Sequence, residues 1–104
     1  MTMQIIAKIV DMIQDELDGA EEYALCAEKW KMDYPKLSAR LNELAGVEMQ
    51  HSRVLHDQVT SLIETYRQEH GEPPAEMLAI YNYEHGKAIK RAAEIKSMID
   101  AYDD

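Results

Sequence analysis

The chain has 104 residues, 46% hydrophobic and 30% charged, which suits one domain near the small end of those with a sizeable core. Acidic residues outnumber basic ones 20 to 11, giving a formal charge of −9 that argues against nucleic acid or an anionic membrane as partner. A single cysteine, no secretory signal and no apolar run near the roughly 20 residues of a membrane span lead us to expect a cytoplasmic protein.

Prolines divide the chain into three segments, each rich in residues that favour helices. Pro35 and the pair Pro73–Pro74 mark the boundaries, and Gly71 is suited to end the second segment. We therefore predict one all-α domain over 1–104, with antiparallel helices over about 3–31, 35–70 and 74–102. The apolar residues of the first helix recur every three or four positions, at Ile6, Ile9, Ile13, Leu17, Ala20, Ala24 and Ala27. Those of the third helix are Met77 or Leu78, then Tyr81, Ala88, Ala92, Ile95, Ile99 and Tyr102.

The second helix carries an apolar stripe that two polar residues interrupt. Its apolar members are Leu37, Leu41, Leu44, Leu55, Val59, Leu62 and Tyr66. Between Leu44 and Leu55, the stripe is occupied by Glu48 and His51, one helical turn apart. A buried carboxylate is costly unless it is protonated, paired or bound to a cation. A glutamate and a histidine at this spacing therefore suggest a metal ion.

Other polar residues share the apolar faces and are candidates for the same site. On the first helix, Glu16 lies within the stripe, and Tyr23 follows on the same face, where it could hydrogen-bond a carboxylate. On the third helix, Glu84 and His85 are adjacent, and the spacing does not decide which of them faces inward. From the residues alone, an alternative stays open: Glu48 and His51 pair with each other, or lie exposed beside a narrower stripe.

Glu16 with Tyr23, followed on the next helix by Glu48-Met-Gln-His51, resembles the ferritin-like superfamily, particularly rubrerythrins and the short encapsulated ferritins. The resemblance covers about residues 5–66, and the third helix is similar to that of small ferritin-like proteins found in prophages. It implies a di-iron carboxylate site, with Mn or Zn as alternative metals, and ferroxidase or peroxide-scavenging chemistry. Glu16, Glu48 and His51 would be ligands and Tyr23 would support them. Glu84, and less certainly His85, would join this site or an entry route.

The chain departs from a complete ferritin-like protein, which has four core helices and two Glu-x-x-His motifs. Here there are three helices and one such motif. Two chains related by a two-fold axis would supply four glutamates and two histidines, as the encapsulated ferritins achieve by dimerising. Four carboxylates would also balance two Fe²⁺ ions in charge. We therefore expect a homodimer, or a larger ring of dimers, with the site across the two-fold axis.

Two other functions stay open. The chain could be an oligomerisation or interaction protein, including one of phage origin, whose third helix contacts a partner through Lys87, Lys90, Arg91 and Lys96. It could also bind an organic ligand between its helices, which only the content of seven Met and six Tyr favours. Such residues are more often part of a core.

Overall fold

A computed structural model describes residues 2–103 of the chain, and the side chains of 4–103. Three helices account for almost all of it: α1 (Thr2–Trp30), α2 (Pro35–His70) and α3 (Ala75–Ala101). Their ends lie within one residue of those predicted, so the all-α prediction is confirmed. Pro35 is the first residue of α2, and Gly71 ends it with φ 82°, its N–H donating to the carbonyl of Arg67.

The helices form an elongated bundle of 56 × 17 × 17 Å. Helix α1 runs antiparallel to α2 and packs against it along most of its length, and α3 runs beside the pair, contacting mainly α1. Within residues 2–103, none of the three helices is both long and apolar enough to traverse a bilayer.

The buried face of α1 is the predicted one. Six of its seven apolar positions are buried: Ile6, Ile13, Leu17, Ala20, Ala24 and Ala27. On α3, Met77 and Ile95 are buried, while Tyr81 and Ile99 are partly buried against the same core. The alanine-rich half of α1 presents little side-chain volume, which lets α2 approach closely there.

The buried face of α2 is not the predicted one. It consists of Ser38, Ala45, Met49, Ser52, Val59 and Ile63. Of the predicted stripe only Val59 is buried, while Leu37 and Leu44 are 50% and 43% exposed. The apolar surface of α2 is wider than one stripe, and small residues such as Ala45 take the position against α1. Leu37 and Leu44 are thus left exposed, whereas Leu55 and Leu62 are partly buried and pack against the core.

Two clusters of contacts hold α3 in place. At one end, buried Ser38 donates a hydrogen bond to the carbonyl of Ala27 and lies 2.7 Å from the hydroxyl of Tyr102. Midway along the bundle, Arg91 pairs with Asp18 at 2.5 Å. These contacts join α3, and Tyr102 directly after it, to α1 and α2.

Candidate metal centre

The structure brings Glu16, Glu48 and His51 together across the α1–α2 contact. One ligand atom from each residue can be chosen so that all lie within 4.8 Å of one another. His51 Nδ1 lies 3.4 Å from Oε2 of Glu16 and 4.0 Å from Oε1 of Glu48. Glu48 and His51 meet because they are one turn apart, whereas Glu16 joins them through the antiparallel register of the helices. We call these three residues the carboxylate–histidine cluster.

The cluster lies at the edge of the core and is partly open to solvent. The side chains of Glu16 and Glu48 are 27% and 25% exposed, and that of His51 is 53% exposed. Nevertheless, Glu16 Oε2 is buried and accepts no hydrogen bond from residues 4–103. An unsatisfied buried oxygen is unfavourable, so this atom is suited to bind a cation.

The electrostatics of the cluster also favour a bound cation. The pKa of Glu48 is raised, first by a hydrogen bond shared with the Glu16 carboxyl, then by burial and by repulsion between the two charges. The nearby His51 imidazole lowers the pKa of Glu48 but does not cancel these effects. Two carboxyl groups this close favour holding a proton between them. A divalent cation would replace that proton and neutralise both charges.

Gly19 makes room for this arrangement. A Cβ atom at position 19 would lie 3.3 Å from Oε2 of Glu48 and 3.6 Å from its carboxyl carbon. Gly46 and Gly86 have no such neighbour, since a Cβ atom on either would meet nothing within 4 Å. Gly19 is therefore the one of these three helical glycines whose missing side chain shapes the cluster.

A depression of about 440 Å³ adjoins the cluster, and all its lining residues belong to α1 and α2 or lie at their ends. Tyr23, Glu48, Leu37 and Leu41 are among them. Tyr23 thus lies near the cluster on the predicted face. The same side carries the exposed leucines of α2, so the cluster opens onto an apolar surface.

Glu84 and His85 lie apart from the cluster within one chain. Glu84 accepts a hydrogen bond of 2.9 Å from Gln14 of α1 and lies 3.4 Å from Lys87. Gln14 and Glu16 are two residues apart and so project about 200° from each other around α1. Neither Glu84 nor His85 belongs to the group whose ligand atoms lie close enough to one another to hold a metal ion. That group consists of Glu16, Glu48 and His51.

His85 belongs instead to a stack of three aromatic rings. Its ring lies parallel to that of His56, with 4.3 Å between centroids, and to that of Tyr81, at 5.5 Å. Burial and the nearby His56 lower the pKa of His85, and burial raises that of Tyr81. His56, on α2, is partly buried by this contact. Only the antiparallel register of α2 and α3 places it opposite His85.

The cluster has the ligand types that suit iron, manganese or zinc: two carboxylates and one imidazole. Three protein ligands leave coordination positions for other groups. Comparison of the chain with protein-family models, with curated proteins and with solved structures gave no match. Any metal-related function proposed for the chain therefore rests on the geometry of the carboxylate–histidine cluster.

Proposed function

We propose that the chain binds divalent transition-metal ions, with iron as the favoured ion, through Glu16, Glu48 and His51. The observation that carries this proposal is the convergence of two carboxylates and an imidazole within 4.8 Å. Oε2 of Glu16 also supports it, because this buried oxygen accepts no well-formed hydrogen bond from residues 4–103, although His51 Nδ1 lies 3.4 Å away. The raised pKa of Glu48 supports it as well, because a cation would relieve the same repulsion that the proton relieves.

We further propose that a second copy of the chain completes the site, as in the ferritin-like resemblance. The cluster opens on the side of α1 and α2 that carries Leu37 and Leu44, which are 50% and 43% exposed. Covering these leucines with the same face of a partner would bury apolar surface and exclude water from the cluster. The two-fold axis would then collect four glutamates and two histidines around two metal ions.

The chemistry proposed for the loaded site is ferroxidase or peroxide-scavenging. Two bound ferrous ions would supply the two electrons that, with two protons, convert one hydrogen peroxide to two water molecules. The chain's own groups contribute binding and positioning: Glu16 and Glu48 supply negative charge, and His51 adds a neutral nitrogen ligand. Leu37 and Leu41, beside Tyr23, form an apolar lining for the approach.

Metal titration of the purified protein, freed of metal by a chelator, tests the proposal. Ferrous iron under anaerobic conditions, and manganese as a redox-stable substitute, should bind at about one ion per chain, as the proposed ligand set requires. Glu48→Gln preserves the shape of the side chain while removing its charge. It should weaken metal binding by at least about 100-fold. The metal ion loses one ligand, and its positive charge is no longer fully compensated by carboxylates.

Glu22→Gln is the matched control, because exposed Glu22 lines the same depression without belonging to the cluster. It removes the same charge and should leave metal affinity nearly unchanged. Unaltered stoichiometry and affinity in Glu48→Gln would contradict the proposed site. Equal losses in both variants would show that negative charge in general, and no specific ligand set, attracts the metal.

A second candidate function is a non-catalytic oligomerisation or interaction protein, favoured by the exposed leucines of α2. The basic surface first considered for such a partner is largely engaged within the chain. Arg91 pairs with Asp18, Lys87 lies 3.4 Å from Glu84, and Lys96 lies 2.5 Å from Asp100. Self-association without any metal bound after reconstitution would favour this candidate.

A further inference from the structure

A crevice of about 210 Å³ opens between all three helices and contains no residue of the carboxylate–histidine cluster. Apolar side chains form its inner surface, among them Ile13 and Leu17 of α1. On α3 the facing residues are Ala88 and Ala92, whose small side chains leave the space unfilled. The crevice therefore depends on two alanines of α3, because larger side chains at these positions would fill it.

The stacked rings provide a wall of the crevice. His56, His85 and Tyr81 all line it, and their planes lie within 9° of parallel in each adjacent pair. Because neighbouring rings of the stack cover each other's faces, a ligand in the crevice would meet ring edges or the outer faces of the end rings, His56 and Tyr81. A flat aromatic molecule suits this wall because it can make offset-stacked or edge contacts with the rings.

The crevice has one positive and one negative side chain, and only the negative one has a partner of opposite charge within the described part of the chain. Arg53 lines it from α2 and forms no ion pair with any of residues 4–103. Glu84 lines it from α3, but its carboxylate already accepts a hydrogen bond from Gln14 and lies 3.4 Å from Lys87. A bound anion would therefore find an uncompensated guanidinium at Arg53 and would be repelled from Glu84. The charges favour a ligand with one negative group placed toward α2.

The volume limits the size of the ligand. An apolar protein cavity of about 150 Å³ is enough to admit benzene. A crevice of about 210 Å³ therefore accommodates one aromatic ring, or two fused rings that extend into its open mouth.

We propose that this crevice binds a small aromatic carboxylate, with its rings between α1 and α3 and its carboxylate directed to Arg53. Such a site is separate from the metal centre and depends on none of its residues. An apolar pocket with few convergent polar groups is the usual form of a small-molecule site.

Titration with 1-naphthoate, compared with the uncharged 1-naphthalenemethanol, tests the proposal. Calorimetry measures affinity, and NMR of the ring protons of His56 and His85 reports where the probe binds. Arg53→Gln should weaken naphthoate binding roughly tenfold, the value of one charge-assisted hydrogen bond, without changing the affinity for the alcohol. Arg40→Gln, an exposed arginine paired with Glu43, is the charge control and should leave both affinities unchanged.

Filling the crevice gives a second test. Ala88→Leu should abolish binding of both probes, whereas Ala93→Leu, at an exposed position of the same helix, should not. Because Arg53 is exposed, Arg53→Gln should remain folded even if Ala88→Leu does not. The proposal is overturned if 1-naphthoate at about 1 mM neither binds the folded protein nor shifts the histidine resonances. It is also overturned if Ala88→Leu binds naphthoate as tightly as the wild type, or if a second chain covers the crevice and excludes the probe.

Discussion

The Cα of Gly19 on α1 faces the carboxyl group of Glu48 on α2, at a distance that leaves no room for a side chain without displacing it. A Cβ atom at position 19 would lie 3.3 Å from Oε2 of Glu48. Glycine in the interior of a helix costs about 1 kcal/mol relative to alanine. The chain thus carries a locally unfavourable residue at the point where the Glu48 carboxyl reaches toward Glu16.

Gly19→Ala should separate stability from metal affinity. In the presence of a chelator, we expect the free energy of unfolding to rise by up to about 1 kcal/mol, since alanine favours the helix. Metal affinity should fall, because the Glu48 carboxyl must move by a few tenths of an ångström. Urea denaturation and metal titration measure the two quantities.

Gly46→Ala is the matched control, because a Cβ atom there meets nothing within 4 Å. It should gain similar stability while leaving metal affinity unchanged. If Gly19→Ala binds metal as tightly as Gly46→Ala, the contact between Gly19 and Glu48 does not shape the site.

Leu44→Glu should disrupt the proposed dimer. Leu44 is 43% exposed on the side of the bundle where the cluster opens, and a charge there would be buried in the interface. Sedimentation equilibrium should show a lower average mass than for the wild type, and metal affinity should fall with it.

Leu25→Glu controls for the introduced charge, because Leu25 is 52% exposed and projects about 200° away from Tyr23 around α1. Its mass and metal affinity should match those of the wild type. A monomeric wild-type protein at every concentration, with or without metal, would refute the interface.

Ser38→Ala should destabilise the end of the bundle where α3 is fastened. The Ser38 hydroxyl donates to the carbonyl of Ala27 and lies 2.7 Å from the Tyr102 hydroxyl. Its removal leaves buried polar groups with fewer partners, at a cost of about 1–3 kcal/mol in the free energy of unfolding. Ser97→Ala, which removes an exposed hydroxyl bonded within its own helix, should change stability by less than about 0.5 kcal/mol. Denaturation curves giving equal effects would argue against this fastening role.

The ring stack makes stability depend on pH. The pKa of His85 is lowered in the folded state, so the unfolded chain binds more protons as the pH falls below the ordinary value of 6.5. The contribution of His85 is therefore fully present above pH 6.5 and is lost as the pH falls toward the lowered folded pKa. Replacing the ring by His85→Phe should flatten this part of the stability–pH curve, measured by urea denaturation at fixed protein concentration in a chelator. His70→Gln, at an exposed end of α2, should retain the slope.

The local pattern of the chain was sufficient to predict its helices. Pro35 and Gly71 mark ends that local backbone chemistry dictates, and the spacing of Ile6, Ile13 and Leu17 identifies the buried face of α1. The nearness of Glu48 to His51 also follows from the sequence, because one turn of helix separates them. The metal assignment itself stays a prediction.

The tertiary structure decided which apolar face of α2 is buried. Leu44 and Met49 both belong to apolar stretches, but only Met49 faces the core, at 5% exposure. The periodicity of a helix shows which residues share a face and carries no information about which of two apolar faces another helix will cover. For the same reason, helix periodicity did not predict the contact between His56 and His85. Residues on different helices meet only through the register and orientation of packing, which depend on the fit of side-chain volumes along whole helices.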